Sequence, residues 1–135
     1  PDWDFRSFGG QCRDGFCAGD AQVATQMKNS RFIWHTKAGG DGYGHVLFSG
    51  MATGTPFIAK AQYYRGKLGE KMLIDEVTCL TIDGMSPEEI RNKIEYWSEP
   101  SRYKSLCIGA YSNFRQKIDF DKESDKIKDF LDQLR

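Results

Sequence analysis

The fold depends on how residues 31–48 are interpreted, RFIWHTKAGGDGYGHVLF. β-Branched and aromatic side chains crowd both ends of this stretch, and four glycines lie between them. Such side chains favour strands, while glycine permits the positive φ angles of tight turns. The stretch therefore predicts two strands, 31–36 and 43–48, joined by a glycine-rich loop.

Downstream of this stretch, turn residues divide the chain at intervals typical of short strands. Pro56 precedes an apolar run at 57–61, and a second run at 77–82 ends in Asp83-Gly84, a dipeptide that is a strong turn signal. Residues 103–111 are apolar and aromatic enough to form another strand. The pattern predicts five strands in all.

The sequence strongly predicts the start of one helix. Ser86-Pro87-Glu88-Glu89 places an N-cap hydroxyl before a proline at the first helical position, with a glutamate three residues after the serine. These features together form a capping box. Ile90, Ile94 and Trp97 continue as one apolar stripe, so we expect a helix that ends near Pro100.

Two further helices are expected at the chain's ends. A short one begins after Asp20, a residue type that favours the N-cap. The tail from residue 121 to 135 is highly charged and carries apolar residues at i, i+3, i+4 and i+7, namely Ile127, Phe130, Leu131 and Leu134. This spacing indicates an amphipathic helix that needs a surface to cover.

Composition limits the class of protein. The 135 residues are 39% hydrophobic, enough for one domain with a core, and 19 basic residues balance 19 acidic ones. A formal charge of zero removes the simplest electrostatic argument for a nucleic-acid partner, and no apolar run approaches the ~20 residues of a membrane span. Four cysteines are too few for a disulfide-built scaffold. We expect a cytoplasmic protein without membrane insertion.

The order of these elements resembles a PDZ domain. Gly42-Tyr43-Gly44-His45 resembles the carboxylate-binding loop of that family, and Leu80-Thr81-Ile82-Asp83-Gly84 resembles its strand end before the peptide-flanking helix. The resemblance implies an α+β fold: a partly open antiparallel β-barrel flanked by one long and one short helix, followed by the C-terminal amphipathic helix. It implies an N-terminal extension at 1–29, a PDZ-like domain at 30–112 and the helix at 113–135.

The same resemblance implies a non-catalytic protein-protein interaction module. A peptide, for instance a C-terminus, would bind as an added strand in a groove between the second strand and the capped helix. His45 and Pro87 depart from the family's usual residues at these positions, so an unused groove on a scaffold or dimerisation domain is the alternative. A homodimer would form through the C-terminal helix or the groove. The expected peptide-binding residues are Gly42, Tyr43, Gly44, His45, Val46, Leu47, Pro87, Ile90, Arg91 and Ile94.

Metal and cofactor chemistry finds little support in the sequence. Cys12 and Cys17, together with His35 or His45, could in principle bind a zinc ion. Structural zinc sites normally contain two closely spaced pairs of ligands, however, and this sequence has only one such pair. No cofactor or metal is therefore expected. Cys79 and Cys107 fall in predicted strands and are interpreted as buried apolar residues.

Catalysis and nucleotide binding are likewise disfavoured by the sequence. The same cysteines and histidines, with Asp41, could supply the nucleophile, the base and the orienting carboxylate of a catalytic site. No sequence motif of a known catalytic site contains them, however. The glycine-rich loop carries an acid and lacks the Lys-Ser/Thr pair of a P-loop, which disfavours nucleotide binding.

An RNA-associated surface is the remaining alternative. Residues 63–67 and 102–104 interleave aromatic and basic side chains, as a base-stacking surface does. The neutral charge of the chain argues against nucleic acid as the partner.

Overall fold

The computed structural model describes residues 3–37 and 44–134 and contains three short strands among five α-helices. Two 3-10 helices, Ala61–Tyr64 and Leu68–Met72, lie between the second and third strands. The elements in chain order are α1 (Asp20–Asn29), β1 (Ile33–His35), α2 (His45–Ala52), β2 (Phe57–Ala59), β3 (Cys79–Thr81), α3 (Pro87–Trp97), α4 (Pro100–Lys117) and α5 (Phe120–Gln133).

The three strands form one parallel sheet in the order β1-β2-β3. Trp34 of β1 lies opposite Ile58 of β2, which lies opposite Leu80 of β3. Parallel neighbours need a crossover connection, and α2 supplies it between β1 and β2. The prediction of an α+β antiparallel barrel, and with it the PDZ resemblance, is wrong: this is an open parallel sheet with helices.

Helices pack on both faces of the sheet, as parallel sheets require. On one face, here called the α2 side, Phe57 and Ala59 pack with Leu47 and Met51 of α2. On the other, the α3 side, Ile58, Leu80, Ile82 and Leu106 form a second cluster, against which Ile90, Ile94 and Trp97 of α3 pack. The core is therefore two apolar layers separated by the strands.

Helix α2 occupies most of the segment that was expected to be the second strand, 43–48. It begins at His45 and passes so close to the sheet that a Cβ atom on Gly50 would lie 2.5 Å from the Phe57 ring. A contiguous apolar run as short as Val46 to Phe48 fits a buried helix as well as a buried strand. The strand prediction there is wrong.

The strand predicted at 103–111 is also wrong, because α4 covers it. The Glu99 side chain accepts hydrogen bonds from the backbone N–H groups of Ser101 and Arg102, and Pro100 stands at the first helical position. Leu106, Ala110 and Asn113 are buried at i, i+4 and i+7. Pro100 thus starts a new helix as well as ending the previous one.

Several predicted elements are confirmed. α1 begins at Asp20, and the three strands lie within the predicted runs at 31–36, 57–61 and 77–82. The capping box of α3 is formed in both directions, Glu89 N to Ser86 Oγ at 3.3 Å and Ser86 N to Glu89 Oε2 at 2.7 Å. The tail is a helix, α5, whose apolar stripe stays exposed. The predicted division at 29/30 and 112/113 stays a prediction.

No helix within the described ranges is both long and apolar enough to cross a bilayer.

Candidate functional site at the carboxyl edge of the sheet

The carboxyl ends of the three strands meet at one edge of the sheet. β1 ends at His35, β2 at Ala59 and β3 at Thr81, and all three run in the same direction. In open parallel sheets, ligands bind in the crevice outside these strand ends. This edge is therefore the first place to look for a site.

Asp83 ties the ends of β2 and β3 together. Its carboxylate accepts hydrogen bonds from the backbone N–H groups of Ala61, at 2.8 Å, and Gln62, at 3.0 Å. The Ile82 N–H donates to the Ala59 carbonyl at 3.0 Å. These bonds fix the backbone on either side of Lys60, which is the first residue after β2.

His35 and Tyr64 join the end of β1 to the 3-10 helix that follows β2. The Tyr64 hydroxyl and the His35 Nδ1 atom lie 2.6 Å apart, and the Tyr64 side chain is buried. Gly69 leaves room for this ring, since a Cβ there would lie 2.9 Å from Tyr64 Cδ1. The three strand ends are thus held to one another by side chains from the loops that follow them.

The N-terminus of α2 opens beside this edge. Gly44, its N-cap residue, has φ 70° and ψ 42°, a left-handed conformation that glycine adopts without strain, and it carries no side chain to cap the helix. The N–H groups of a first helical turn have no partner within the helix and carry the positive end of its dipole. Such a terminus favours an anionic ligand such as a phosphate.

Two nitrogen-bearing side chains come from the elements that meet at this edge. His45, the first residue of α2, is exposed, and the Lys60 ammonium lies 5.7 Å from the centre of the Tyr63 ring. Phosphate groups are bound by lysine ammonium groups together with backbone N–H groups. The edge therefore has the chemistry of an anion site, built from two loops and one helix end.

The described residues among those of the peptide-binding hypothesis lie on different sides of the sheet. Leu47 is buried on the α2 side, whereas Ile90 and Ile94 pack on the α3 side. Pro87 and Arg91 are exposed on α3, Gly44 and His45 lie at the start of α2, and Val46 lines a cavity with Ile94. Gly42 and Tyr43 lie outside the described residues.

The aromatic residues that suggested RNA stacking are engaged within the chain. Tyr64 is buried, the Arg31 guanidinium lies 4.7 Å from the Tyr103 ring centre, and the Arg102 guanidinium lies 3.9 Å from that of Tyr96. A base-stacking platform needs open ring faces. These rings do not form one.

The thiols also do not assemble into a site with the histidines among the residues that the structure describes. Cys12 and Cys17 are free, and no group of three or more His, Cys, Asp or Glu side chains in the described part of the chain is placed to hold a metal ion.

Two cavities flank the sheet. The larger, about 890 Å³, lies between β1 and the chain's N-terminal part, with Trp34 and Ile94 on one side and Phe8 and Met27 on the other. The smaller, about 410 Å³, lies between α2 and the junction of α4 with α5, and His45 lines it. The smaller cavity thus adjoins the carboxyl edge, while the larger one is lined by both apolar and polar side chains of the N-terminal segment and β1.

Sequence reasoning did not identify Lys60, Tyr64 or Asp83 as a group. Asp83-Gly84 was interpreted as a turn that ends a strand, and the carboxylate that supports the edge was therefore counted as a turn residue. The carboxyl ends of β2 and β3 lie next to each other because the two strands are parallel, which the sequence did not indicate.

The fold, an open parallel sheet with helices on both faces, is shared with solved structures of HepE. HepE of Anabaena in complex with UDP-glucose superposes with a TM-score of 0.67 at 18% identity, and its complex with UDP gives 0.68 at 19%. In each case the match covers 88% of this chain and 31% of the HepE chain. A third HepE structure, with UDP and glucose, is equally similar.

The chain therefore spans about a third of the length of HepE. No family model matches it, and no curated protein matches it significantly in sequence.

The prediction of a non-catalytic peptide-binding module is wrong. The strand that would bind the peptide is helix α2, and the similar structures hold a nucleotide sugar in HepE. The alternatives built on the PDZ fold, a scaffold or dimerisation domain with an unused groove, fall with it. The expectation that the chain is not an enzyme depended on the PDZ fold and is overturned with it, since the fold is shared with HepE, which was solved with UDP-glucose.

Proposed function

We propose that the carboxyl edge of the sheet binds the diphosphate of a nucleotide sugar, with a UDP-sugar as the ligand class. The α2 N-terminus carries this proposal, because its N-cap residue is Gly44, whose backbone can approach an anion closely and which brings no side chain of its own. The backbone at Lys60, fixed by Asp83, supplies the neighbouring wall. The fold likeness to HepE, solved with UDP and with UDP-glucose, supports the choice of nucleotide.

The reaction class that fits such a ligand is glycosyl transfer. A UDP-sugar holds its sugar on a diphosphate leaving group, and cations and N–H groups aimed at that diphosphate stabilise the negative charge that develops as the bond to the sugar breaks. The sugar passes to an acceptor and UDP is the product. Because the chain spans a third of HepE, residues outside it would complete the acceptor side.

Partner and compartment stay predictions. A protein partner and self-association through α5 are compatible with its exposed apolar stripe. The cytoplasmic compartment is compatible with a nucleotide-sugar ligand.

Calorimetric titration with UDP, UDP-glucose, uridine and glucose tests the proposal. We expect UDP and UDP-glucose to bind more tightly than uridine, and glucose to give no measurable heat, since the diphosphate makes the contacts. A charge-assisted hydrogen bond contributes about 1.5–3 kcal/mol, so Lys60→Met should weaken UDP binding roughly tenfold or more. Absence of UDP binding at millimolar concentration would contradict the proposal.

Lys104→Met is the matched control, because Lys104 is an exposed lysine on α4, outside the carboxyl edge. It should leave the UDP affinity unchanged. Equal losses in the two variants would indicate a general charge effect and would remove Lys60 from the site.

A further inference from the structure

The segment at 60–71, here called the basic loop, carries an excess of positive charge between β2 and β3. It contains four basic side chains and one acidic one, although the chain as a whole is neutral. The basic residues are Lys60, Arg65, Lys67 and Lys71, and the acid is Glu70. A local excess of one sign raises the concentration of ligands of the opposite sign, so this loop favours an anion.

Two contacts hold the basic loop against the proposed diphosphate site. The Tyr64 hydroxyl lies 2.6 Å from the Nδ1 atom of His35, the last residue of β1. Gly69 packs against the first turn of α2, where a Cβ atom on this glycine would lie 3.1 Å from Leu47 Cδ2. The loop therefore touches both the end of β1 and the helix terminus that the diphosphate would meet.

The acid of the basic loop shapes the turn that presents Arg65. The Glu70 carboxylate accepts a hydrogen bond from the Gly66 N–H at 2.8 Å, and Gly66 has a φ of 72°. Glu70, like Asp83, is thus engaged with backbone N–H groups. Arg65 is exposed and forms no ion pair with any residue that the structure describes. Its guanidinium is therefore open to a ligand.

Lys60 and Arg65 stand at the two ends of one 3-10 helix. Lys60 is its N-cap residue and Arg65 its C-cap residue, with Ala61–Tyr64 between them. At the rise of a 3-10 helix, about 2 Å per residue, their Cα atoms lie roughly 10 Å apart along its axis. Both side chains are long and carry their charge at the tip. Two such cations can contact two separate anionic groups of one ligand.

We propose that Arg65 binds a carboxylate on the sugar of the donor, so that the preferred ligand is a UDP-uronic acid. This inference rests on the proposed function, in which Lys60 and the α2 N-terminus bind the diphosphate. An arginine binds a carboxylate through two parallel N–H···O hydrogen bonds, which add direction to the charge. A neutral sugar offers Arg65 only hydroxyl groups, whose hydrogen bonds are weaker.

The competing possibility is that Arg65 also binds the diphosphate. Lys60 and the positive end of α2, equivalent to about half an elementary charge, already face the phosphates in the proposed site. Arg65 stands at the opposite end of the 3-10 helix from Lys60, which suits a second anionic group better than the same one. The two possibilities predict different losses when Arg65 is changed.

Calorimetric titration with UDP-glucuronic acid, UDP-glucose and UDP tests the inference. The two nucleotide sugars differ at one carbon of the sugar, which is a carboxylate in the first and a hydroxymethyl group in the second. We expect UDP-glucuronic acid to bind about fivefold more tightly at low salt, a modest gain because an exposed ion pair is partly screened. The preference should shrink as added salt screens the charges further.

Arg65→Gln should bring the two affinities within about twofold of each other, because the amide keeps a hydrogen-bond donor but loses the charge. Arg91→Gln, at an exposed arginine of α3, is the matched control and should keep the preference.

Three outcomes count against the inference. Equal affinities for the two nucleotide sugars in the unchanged chain, with UDP bound, would overturn it and leave the proposed function standing. An equal loss of both affinities in Arg65→Gln would overturn it too, because Arg65 would then bind the diphosphate. Absence of UDP binding would remove both the inference and the proposed function.

Discussion

The two faces of the sheet differ in how completely helices cover them. On the α2 side, Phe57 and Ala59 are buried, and Gly50 allows the helix to approach the sheet closely. On the α3 side, the cover ends before β1 and leaves Trp34 half exposed beside a cavity. The difference teaches that the α2 side is the more completely packed part of the core, while the β1 end of the α3 side is open to solvent.

Cysteine labelling should show the largest contrast between the two sides. Cys79 lies in the α2-side cluster, where burial raises the pKa of its thiol to about 12, whereas Cys17 lines the open cavity. Because the thiolate is the reactive form, we expect iodoacetamide at pH 8 to label Cys17 about 100-fold faster or more. Peptide mapping after a short pulse measures the ratio, and equal rates would mean that the α2 side opens readily.

Truncation of adjacent residues on α2 should give the next largest effect. Leu47 is fully buried and Val46 is partly exposed, at 0% and 36%. Leu47→Ala leaves a cavity and should lower the free energy of unfolding by about 3 kcal/mol or more, while Val46→Ala should cost about 1 kcal/mol or less. Urea denaturation measures both. Similar losses would contradict the contrast in burial.

Gly50→Ala tests the close approach of α2 to the sheet. Its new methyl group would lie 2.5 Å from the Phe57 ring and 2.6 Å from Ile33 Cδ1, so the helix must shift. We expect a loss of about 2 kcal/mol, in the range of overpacked cores. Ser49→Ala, at the exposed neighbouring position, is the control and should change the free energy of unfolding by less than about 0.5 kcal/mol.

Ser86→Ala should give the smallest effect, because the capping box acts locally on α3. Loss of an N-cap hydroxyl costs about 1 kcal/mol. Ser105→Ala, an exposed serine within α4, serves as the comparison and should be nearly neutral in thermal unfolding. A loss at Ser86 as large as that at Leu47 would show that α3 depends on its cap more than on packing.

The sequence predicted elements well where the signal is local. The start of α3 depends on Ser86, Pro87 and Glu89, three neighbours whose hydrogen bonds are made within one turn. The α5 stripe and the turn at Asp83-Gly84 have the same local origin. These features can be read without knowledge of the tertiary contacts.

Prediction failed where tertiary contacts decide. α2 has no capping side chain, since its N-cap is Gly44, and its apolar run is buried by contacts with β2 that the sequence does not reveal. α4 carries strand-forming residues such as Tyr103 and Ile108, yet its Glu99 cap and long buried stripe make it helical. Because α2 was predicted to be a strand, the predicted sheet was antiparallel. In such a sheet the carboxyl ends of the strands do not all meet at one edge, so the grouping of Lys60, Tyr64 and Asp83 was not predicted.

The two helix N-termini on opposite sides of the sheet give the most direct test of the central claim, that the carboxyl edge binds a diphosphate. At α3 the N-cap side chain of Ser86 accepts a hydrogen bond from a first-turn N–H, whereas the N-cap residue of α2 is Gly44, which has no side chain. In a ¹⁵N NMR titration with UDP, we predict saturable shifts at the amides of His45, Val46 and Ala61 and none at Glu88 and Glu89. Shifts at α3 of equal size, or none at α2, would contradict the claim.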